Sequence, residues 1–274
     1  MIRGISLFFW LVLASGLSVG EPRESIEKLH EMANMGRQDA AYRLGYLYWH
    51  GEGVKANKEM ALHFLDMAER LGMPDARYAR AILLLGEAGQ SESERGRAEL
   101  TSLAKAGYPG ARLALANHYL FEYRVPGHKR IARNWYIMAA NAGEAAAFYN
   151  AGILLLDEEA GKADTAEAIR FLKLAADKNS DTDAMRQIGD IYRKSSDFRQ
   201  DPELALKWYR RAAELGDAAA QYNLGYAYFV GEGTRHDPGL AYLWARKAAD
   251  QGMREADSLV GLLCKDWTEV CVYE

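Results

Sequence analysis

Residues 220–252 read AQYNLGYAYFVGEGTRHDPGLAYLWARKAADQG, and residues 40–72 read AAYRLGYLYWHGEGVKANKEMALHFLDMAERLG. The two stretches share alanines, aromatic residues and glycines at matching positions. The final glycine, here called the marker glycine, recurs at Gly36, Gly72, Gly107, Gly143, Gly216 and Gly252, with Asn179 filling the one gap. A constant step of about 36 residues indicates a repeat architecture and overrides the domain count suggested by length. The chain is therefore predicted to consist of one repeated unit.

Each unit contains two helical patterns. An alanine begins the first, helix A, and apolar or small residues follow it two, five and eight positions later, on one face of a helix. These alanines are Ala40, Ala76, Ala111, Ala147, Ala184, Ala220 and Ala256. The second, helix B, precedes the next marker glycine and carries large side chains, which we expect to pack against the small fifth residue of helix A. They are Phe64, Trp135, Phe171, Trp208 and Trp244.

A unit of two short helices cannot bury its apolar faces alone, so consecutive units must stack on one another. The sequence predicts an all-α, right-handed superhelical solenoid. Glycine pairs in the loop between helices A and B, at Gly51 and Gly53 and at Gly231 and Gly233, predict a turn with positive φ angles. Residues 86–96, GEAGQSESERG, lack this pair and are predicted to form a solvated loop.

The pattern Ala-x-Tyr-x-Leu-Gly-x-x-Tyr-x-x-Gly-x-Gly-Val, followed by Ala-x-x-Trp-Tyr and Ala-Ala-x-x-Gly, resembles the Sel-1-like repeat, a relative of the tetratricopeptide repeat. The units at Ala40 and Ala220 match nearly throughout, whereas those at 76, 111, 147 and 184 have lost the Gly-x-Gly turn. The resemblance covers residues 21–265. It implies part-units as caps, at residues 25–36 and 256–265, and a C-terminal tail at residues 266–274.

The N-terminus is predicted to direct export. Arg3 is followed by an apolar run at residues 5–17, which is short for a membrane span, and small residues Ser18 and Gly20 stand before Glu21. Residues 1–20 are therefore interpreted as a signal peptide that is removed, with a second cleavage possibility near Ala14 and Gly16. We expect a periplasmic protein with no membrane insertion after cleavage.

Composition excludes several classes of function. The formal net charge of −4, without any dense run of Lys and Arg, argues against a nucleic-acid ligand. Cys264 and Cys271 are predicted to form a disulfide in an oxidising compartment, the alternative being that Cys264 is a small buried apolar residue. No second cysteine or histidine pair stands at zinc-ligand spacing, and no catalytic motif occurs in a fitting context. The sequence predicts no catalytic residues, no metal and no cofactor.

Partner binding is predicted on the inner face of the solenoid. If helix A lines that face, positions six, nine and ten after its first alanine point into a groove, and they are largely apolar in the first four units. An exposed apolar stripe typically marks a binding site. The alternative is that the superhelix is tightly wound and the stripe packs on itself or on a capping segment. The predicted groove residues are Tyr46, Trp49, Ile82, Leu85, Asn117, Leu120, Phe121, Ile153 and Leu156.

The resemblance implies a non-catalytic scaffold or adaptor that binds proteins, in an envelope, exopolysaccharide or flagellar complex. A secreted factor that binds a host protein is an alternative. Cysteine-rich relatives act on β-lactams, but those carry a disulfide in each repeat. This chain has only two cysteines, which weighs against such an enzyme.

Overall fold

The computed structural model describes residues 25–86, 90–123, 125–194 and 199–271. The chain divides between Glu144 and Ala145 into two compact units, called here the N-terminal and C-terminal units. The described residues form helices, turns and loops, with no strand among them. The predicted fold class, an all-α solenoid of helix pairs, is confirmed. The predicted signal peptide lies outside the described residues.

The N-terminal unit contains seven described α-helices. They are α1 (Ile26–Asn34), α2 (Gln38–His50), α3 (Lys58–Arg70), α4 (Pro74–Leu85), α5 (Gln90–Lys105), α6 (Ala111–Asn117) and α7 (His128–Asn141). Helix α6 continues into a π-helix at His118–Glu122. Within this unit α2 pairs with α3, α4 with α5, and α6 with α7, as expected for successive A and B helices.

The C-terminal unit repeats the same arrangement. Its described α-helices are α8 (Phe148–Leu156), α9 (Thr165–Asn179), α10 (Thr182–Lys194), α11 (Pro202–Glu214), α12 (Ala218–Val230), α13 (Pro238–Asp250) and α14 (Arg254–Asp266). Short 3₁₀ turns lie at Ala145–Ala147, Glu158–Ala160 and Thr268–Cys271. Helix α8 pairs with α9, α10 with α11, and α12 with α13, whereas α14 is a helix A without a described helix B after it.

Side-chain caps define where most B helices begin. Asn57, Asp164, Asp201 and Asp237 each accept a hydrogen bond from the backbone N–H three residues on, at 2.9–3.0 Å. Such caps satisfy one of the unpaired donors of the first turn. The polar residue after each A–B loop therefore sets the start of helix B, a signal that the repeat pattern alone did not reveal.

The marker position ends helix B in a left-handed conformation, as in Gly216 with φ 94°. Asn179 was expected to take this role at the one step of the series that lacks glycine, but it is the last residue of α9, and Ser180 follows it with φ 50°. The expectation is wrong by one residue because α9 includes Asn179 as its last helical residue. Asparagine and serine there replace the glycine that avoids strain in this region.

Residues 90–96, part of the predicted solvated loop, are helical instead. Helix α5 begins at Gln90 and includes Gly96, where a Cβ atom would lie only 2.6 Å from the backbone N of Leu85. Glycine at this position allows α5 to lie directly against the end of α4. The prediction failed because a polar, glycine-containing sequence can still be helical when its backbone packs closely.

Where helix A has glycine at its fifth position, the helix B residue that lies next to this glycine is one position later than predicted. A Cβ at Gly152 would lie 2.7 Å from Leu172, and one at Gly189 would lie 2.6 Å from Tyr209, each the residue after the predicted Phe171 or Trp208. Tyr209 and Leu172 are fully buried. The close approach that the small fifth residue permits is confirmed, but the residue that fills the space was misassigned.

Candidate partner-binding surface

Four of the predicted groove residues are buried in the N-terminal unit. Leu85 is 3% exposed and Leu120 is 6% exposed, and Ile82 and Asn117 are similarly covered. The prediction that these side chains face an open groove is therefore wrong. The alternative reading, that the apolar stripe packs inside the protein, holds for these four residues.

The burial of these residues has local causes. Ile82 and Leu85 belong to the core of the N-terminal unit because α5 packs closely on the last turn of α4 through Gly96. Asn117 accepts a hydrogen bond from the hydroxyl of the buried Tyr136. Leu120 lies in the π-helix, whose wider turn changes which side chains face inward. A register counted on an ideal α-helix could not predict this change.

The other predicted groove residues keep partial exposure. Tyr46 and Trp49 are half-buried on α2, where the ring of His50 lies 4.3 Å from that of Tyr46 and 5.1 Å from that of Trp49, measured between centroids. Burial raises the pKa of Tyr46, and the negative charge of Glu52 adds to this shift. Burial also lowers the pKa of His50. Here a small aromatic cluster is accessible without forming a continuous groove.

Phe121, Ile153 and Leu156 are also half-buried. Phe121 belongs to the N-terminal unit, and Ile153 and Leu156 lie on α8 of the C-terminal unit. Each therefore presents only part of its side chain for contact with a partner.

The C-terminal unit exposes a second group of apolar side chains. We define the C-terminal aromatic surface by residues Tyr222, Tyr226, Phe229, Val230 and Trp267. Tyr226 is 39% exposed and Val230 47%. Ring centroids lie 6.3 Å apart for Tyr222 and Tyr226, and 6.4 Å apart for Tyr226 and Phe229. The rings therefore form a connected series along α12.

Helix α12 is apolar on nearly every side, and other helices cover only part of it. Leu224 and Gly225 are buried, whereas Tyr226 and Val230 point away from the core. A helix that is apolar all round is normally buried on all sides. Large exposed apolar side chains close together indicate an interaction surface.

A network of hydrogen bonds and ion pairs lies beside α12 and connects neighbouring segments of the chain. Arg193 Nε donates to the Tyr209 hydroxyl at 3.1 Å, and that hydroxyl donates to Asp190 Oδ1 at 2.6 Å. Arg193 also approaches Glu232, in the loop after α12, at 3.8 Å. Burial and the bond to Asp190 raise the pKa of Tyr209. The network links α10 and α11 to this loop.

Trp267 extends the surface beyond the repeat. It follows α14, and its ring lies 6.1 Å from that of Phe229 and 5.3 Å from that of His236. Cys264 and Cys271, the pair proposed from the sequence, form a disulfide with an S–S distance of 2.01 Å and bracket Trp267. Sequence reasoning assigned Trp267 to the tail and missed its contribution, although an aromatic residue between two cysteines was an available signal.

Clusters of metal ligands and membrane-spanning helices are both absent among the residues that the structure describes. Over the described ranges, no three His, Cys, Asp or Glu side chains are grouped closely enough to hold a metal ion. No helix in the described part of the chain is both long and apolar enough to cross a membrane.

Comparison with known proteins identifies the repeat. The family model for the Sel1 repeat matches residues 38–73, 109–144, 145–180, 182–217 and 218–253. A Sel1 repeat protein from Oxalobacter formigenes has a similar solved structure, with 30% identity and a TM-score of 0.58 over 94% of this chain and 75% of that one. A protective antigen of uropathogenic Escherichia coli strains displaying an SLR fold shows 22% identity and a TM-score of 0.48, over 87% of this chain and 59% of its own. No curated protein sequence matches significantly.

Proposed function

The chain belongs to the Sel1 repeat family, and from this premise we propose that it is a non-catalytic scaffold of the bacterial periplasm that binds a protein partner through its C-terminal aromatic surface. Repeats of this family generally mediate contacts between proteins. The proposed location is supported by the charged, apolar and small-residue pattern of residues 1–20.

One observation carries the choice of surface. Tyr226 and Val230 are exposed on the same helix as the half-buried rings of Tyr222 and Phe229, whereas the predicted groove residues Leu85 and Leu120 are buried. Aromatic residues are the side chains that most often dominate binding energy at protein interfaces. The exposed patch therefore offers anchors that a partner can cover.

The kind of partner follows from the chemistry of this surface. It presents apolar and aromatic side chains, with the charged residues Asp190, Arg193 and Glu232 engaged in the network beside it. A partner segment with apolar anchors at helical spacing fits such a surface. We expect this segment to belong to another protein of an envelope complex.

Co-purification from envelope extracts tests this proposal with three forms of the protein. The wild-type chain and a Lys207→Ser control should recover the same partner, because Lys207 is exposed on α11 outside the C-terminal aromatic surface. A Tyr226→Ser/Val230→Asp variant should lose it while keeping its helical content and melting temperature. Recovery of the partner by the folded double variant would refute the assignment of the site.

A further inference from the structure

Helix α14 has an uncovered face that is covered in the preceding A helices of the C-terminal unit. The small fifth residue of each helix A normally faces the next helix B: a Cβ at Gly152, Gly189 or Gly225 would lie 2.7, 2.6 or 2.9 Å from an atom of that helix. The equivalent residue of α14 is Gly261. Among the described residues, no neighbouring atom lies within 4 Å of the position that its Cβ would take.

The uncovered face extends along most of the helix. Arg254, Asp257, Ser258, Gly261 and Lys265 are all exposed, and their spacing of three or four places them on one side of α14. Leu262 lies at the edge of this side and is 50% exposed. This set is called the α14 face. A glycine at the centre of a helix face allows a second helix to approach closely.

We propose that the α14 face binds the α14 face of a second copy of the chain, with the two helices antiparallel and crossing at Gly261. In such a two-fold arrangement, the residue n positions after Gly261 in one copy faces the residue n positions before Gly261 in the other copy. Asp257 and Lys265 each lie four positions from Gly261, so opposite charges face each other twice. Val260 and Leu262, one position to either side of Gly261, lie at the two margins of this contact.

Helix α1 of a second copy is a less suitable occupant. Helix α1 is a helix B without a described helix A before it, and it could in principle continue the repeat from α14. However, the residue that would have to fill the space at Gly261 is Leu29, which stands seven positions before its marker glycine, as Leu65 does. Leu29 is 1% exposed and already packed inside its own unit.

The expected dimer is weak and closed. A single helix pair is small compared with the roughly 1,200–2,000 Å² buried in stable specific interfaces, so we expect dissociation in the micromolar range. A two-fold interface uses the α14 face of both copies and leaves none free for a third copy. Sedimentation equilibrium of the purified protein should therefore show a monomer and a dimer, with no larger species.

Charge reversal across the two-fold axis supplies the decisive test. Asp257→Lys and Lys265→Asp should each weaken the dimer by at least about tenfold, because each places like charges opposite one another. An equimolar mixture of the two variants should dimerise again, because every facing pair is then of opposite charge. Each chain in the mixture carries only one of the two substitutions, so repair within a monomer cannot explain this recovery.

A third variant, Gly261→Leu, should abolish dimerisation without lowering the melting temperature of the monomer, because neighbouring atoms leave open space there. Three results would overturn the proposal: a monomer at all concentrations, a dimer insensitive to both charge reversals, or a mixture of the two variants that stays monomeric. Circular dichroism of each variant confirms that loss of the dimer is not loss of the fold.

Discussion

The ring of Trp267 lies edge-on to the ring of Phe229, with the centroids 6.1 Å apart and the planes at 86°. Phe229 belongs to α12 of a repeat, whereas Trp267 comes from the turn after the last described helix. The disulfide between Cys264 and Cys271 brackets that turn. One side of the C-terminal aromatic surface is thus formed by a segment outside the repeat. The position of Trp267 in this segment should depend on the disulfide.

Removal of the disulfide should loosen this side of the surface. In a Cys264→Ser/Cys271→Ser variant the free energy of unfolding should fall by about 2 kcal/mol, since the loop that the bond closes is short. The emission of Trp267 should shift towards that of a solvated indole. Reduction of the wild-type protein should reproduce both effects, and mass spectrometry of untreated protein should find the two cysteines joined. Free, alkylatable thiols in that sample would contradict the assignment.

The repeat predicted the fold because it constrains many residues at once. Ala40 and Ala220 begin the same pattern, and Gly72 and Gly252 end it, so pairing and stacking of the helices followed from spacing alone. The departures arose where one residue changed the local geometry. Gly96 lies within a closely packed helix where a loop was predicted, and Ser180 has the left-handed conformation that was expected at Asn179.

Leu85 and Leu120, which the sequence placed in an open groove, should behave as core residues. Leu85→Ala, Leu120→Ala and the matched core variant Leu155→Ala should each lower the free energy of unfolding by about 2–5 kcal/mol, because each leaves a cavity in a packed interior. Leu262→Ala, at an exposed position, should change it by less than about 0.5 kcal/mol. Chemical denaturation measures all four. If the Leu85 and Leu120 variants are as stable as the wild type, these side chains are not part of the core and the original groove prediction is supported.

The binding surface was less predictable than the fold. Counting positions along an ideal helix placed Leu120 on an exposed face, but the π-helix at His118–Glu122 interrupts that count. Tyr226 stands at position six after Ala220, one of the positions expected to face outwards, and it does lie outside the core. Exposure depends on which neighbour covers a side chain, and a single repeat pattern does not contain that information.

Two glycines at equivalent positions should respond differently to the same substitution. Gly189→Ala should cost about 1–3 kcal/mol, because the new Cβ would lie 2.6 Å from the buried ring of Tyr209. Gly261→Ala should instead stabilise the monomer by up to about 1 kcal/mol, since alanine favours the helix and meets open space. Thermal melts at low protein concentration compare the two. Equal effects at both positions would show that α14 is covered after all.

Export can be tested independently of the fold. A fusion of residues 1–24 to a reporter that is active only outside the cytoplasm should be active, because these residues carry the predicted signal peptide. Replacement of three apolar residues in the stretch 5–17 by aspartate should abolish the activity. A silent but stably expressed fusion would remove the periplasmic assignment.

Site-specific photo-crosslinking in living cells tests the central claim most directly. A photoreactive amino acid placed at position 226, on the exposed side of α12, should give one discrete adduct with a partner protein. The same amino acid at position 207, exposed on α11, should give none, and Val230→Asp should abolish the adduct at position 226. The absence of any adduct at 226, or an equal adduct at 207, would contradict the account that the C-terminal aromatic surface is where this protein binds its partner.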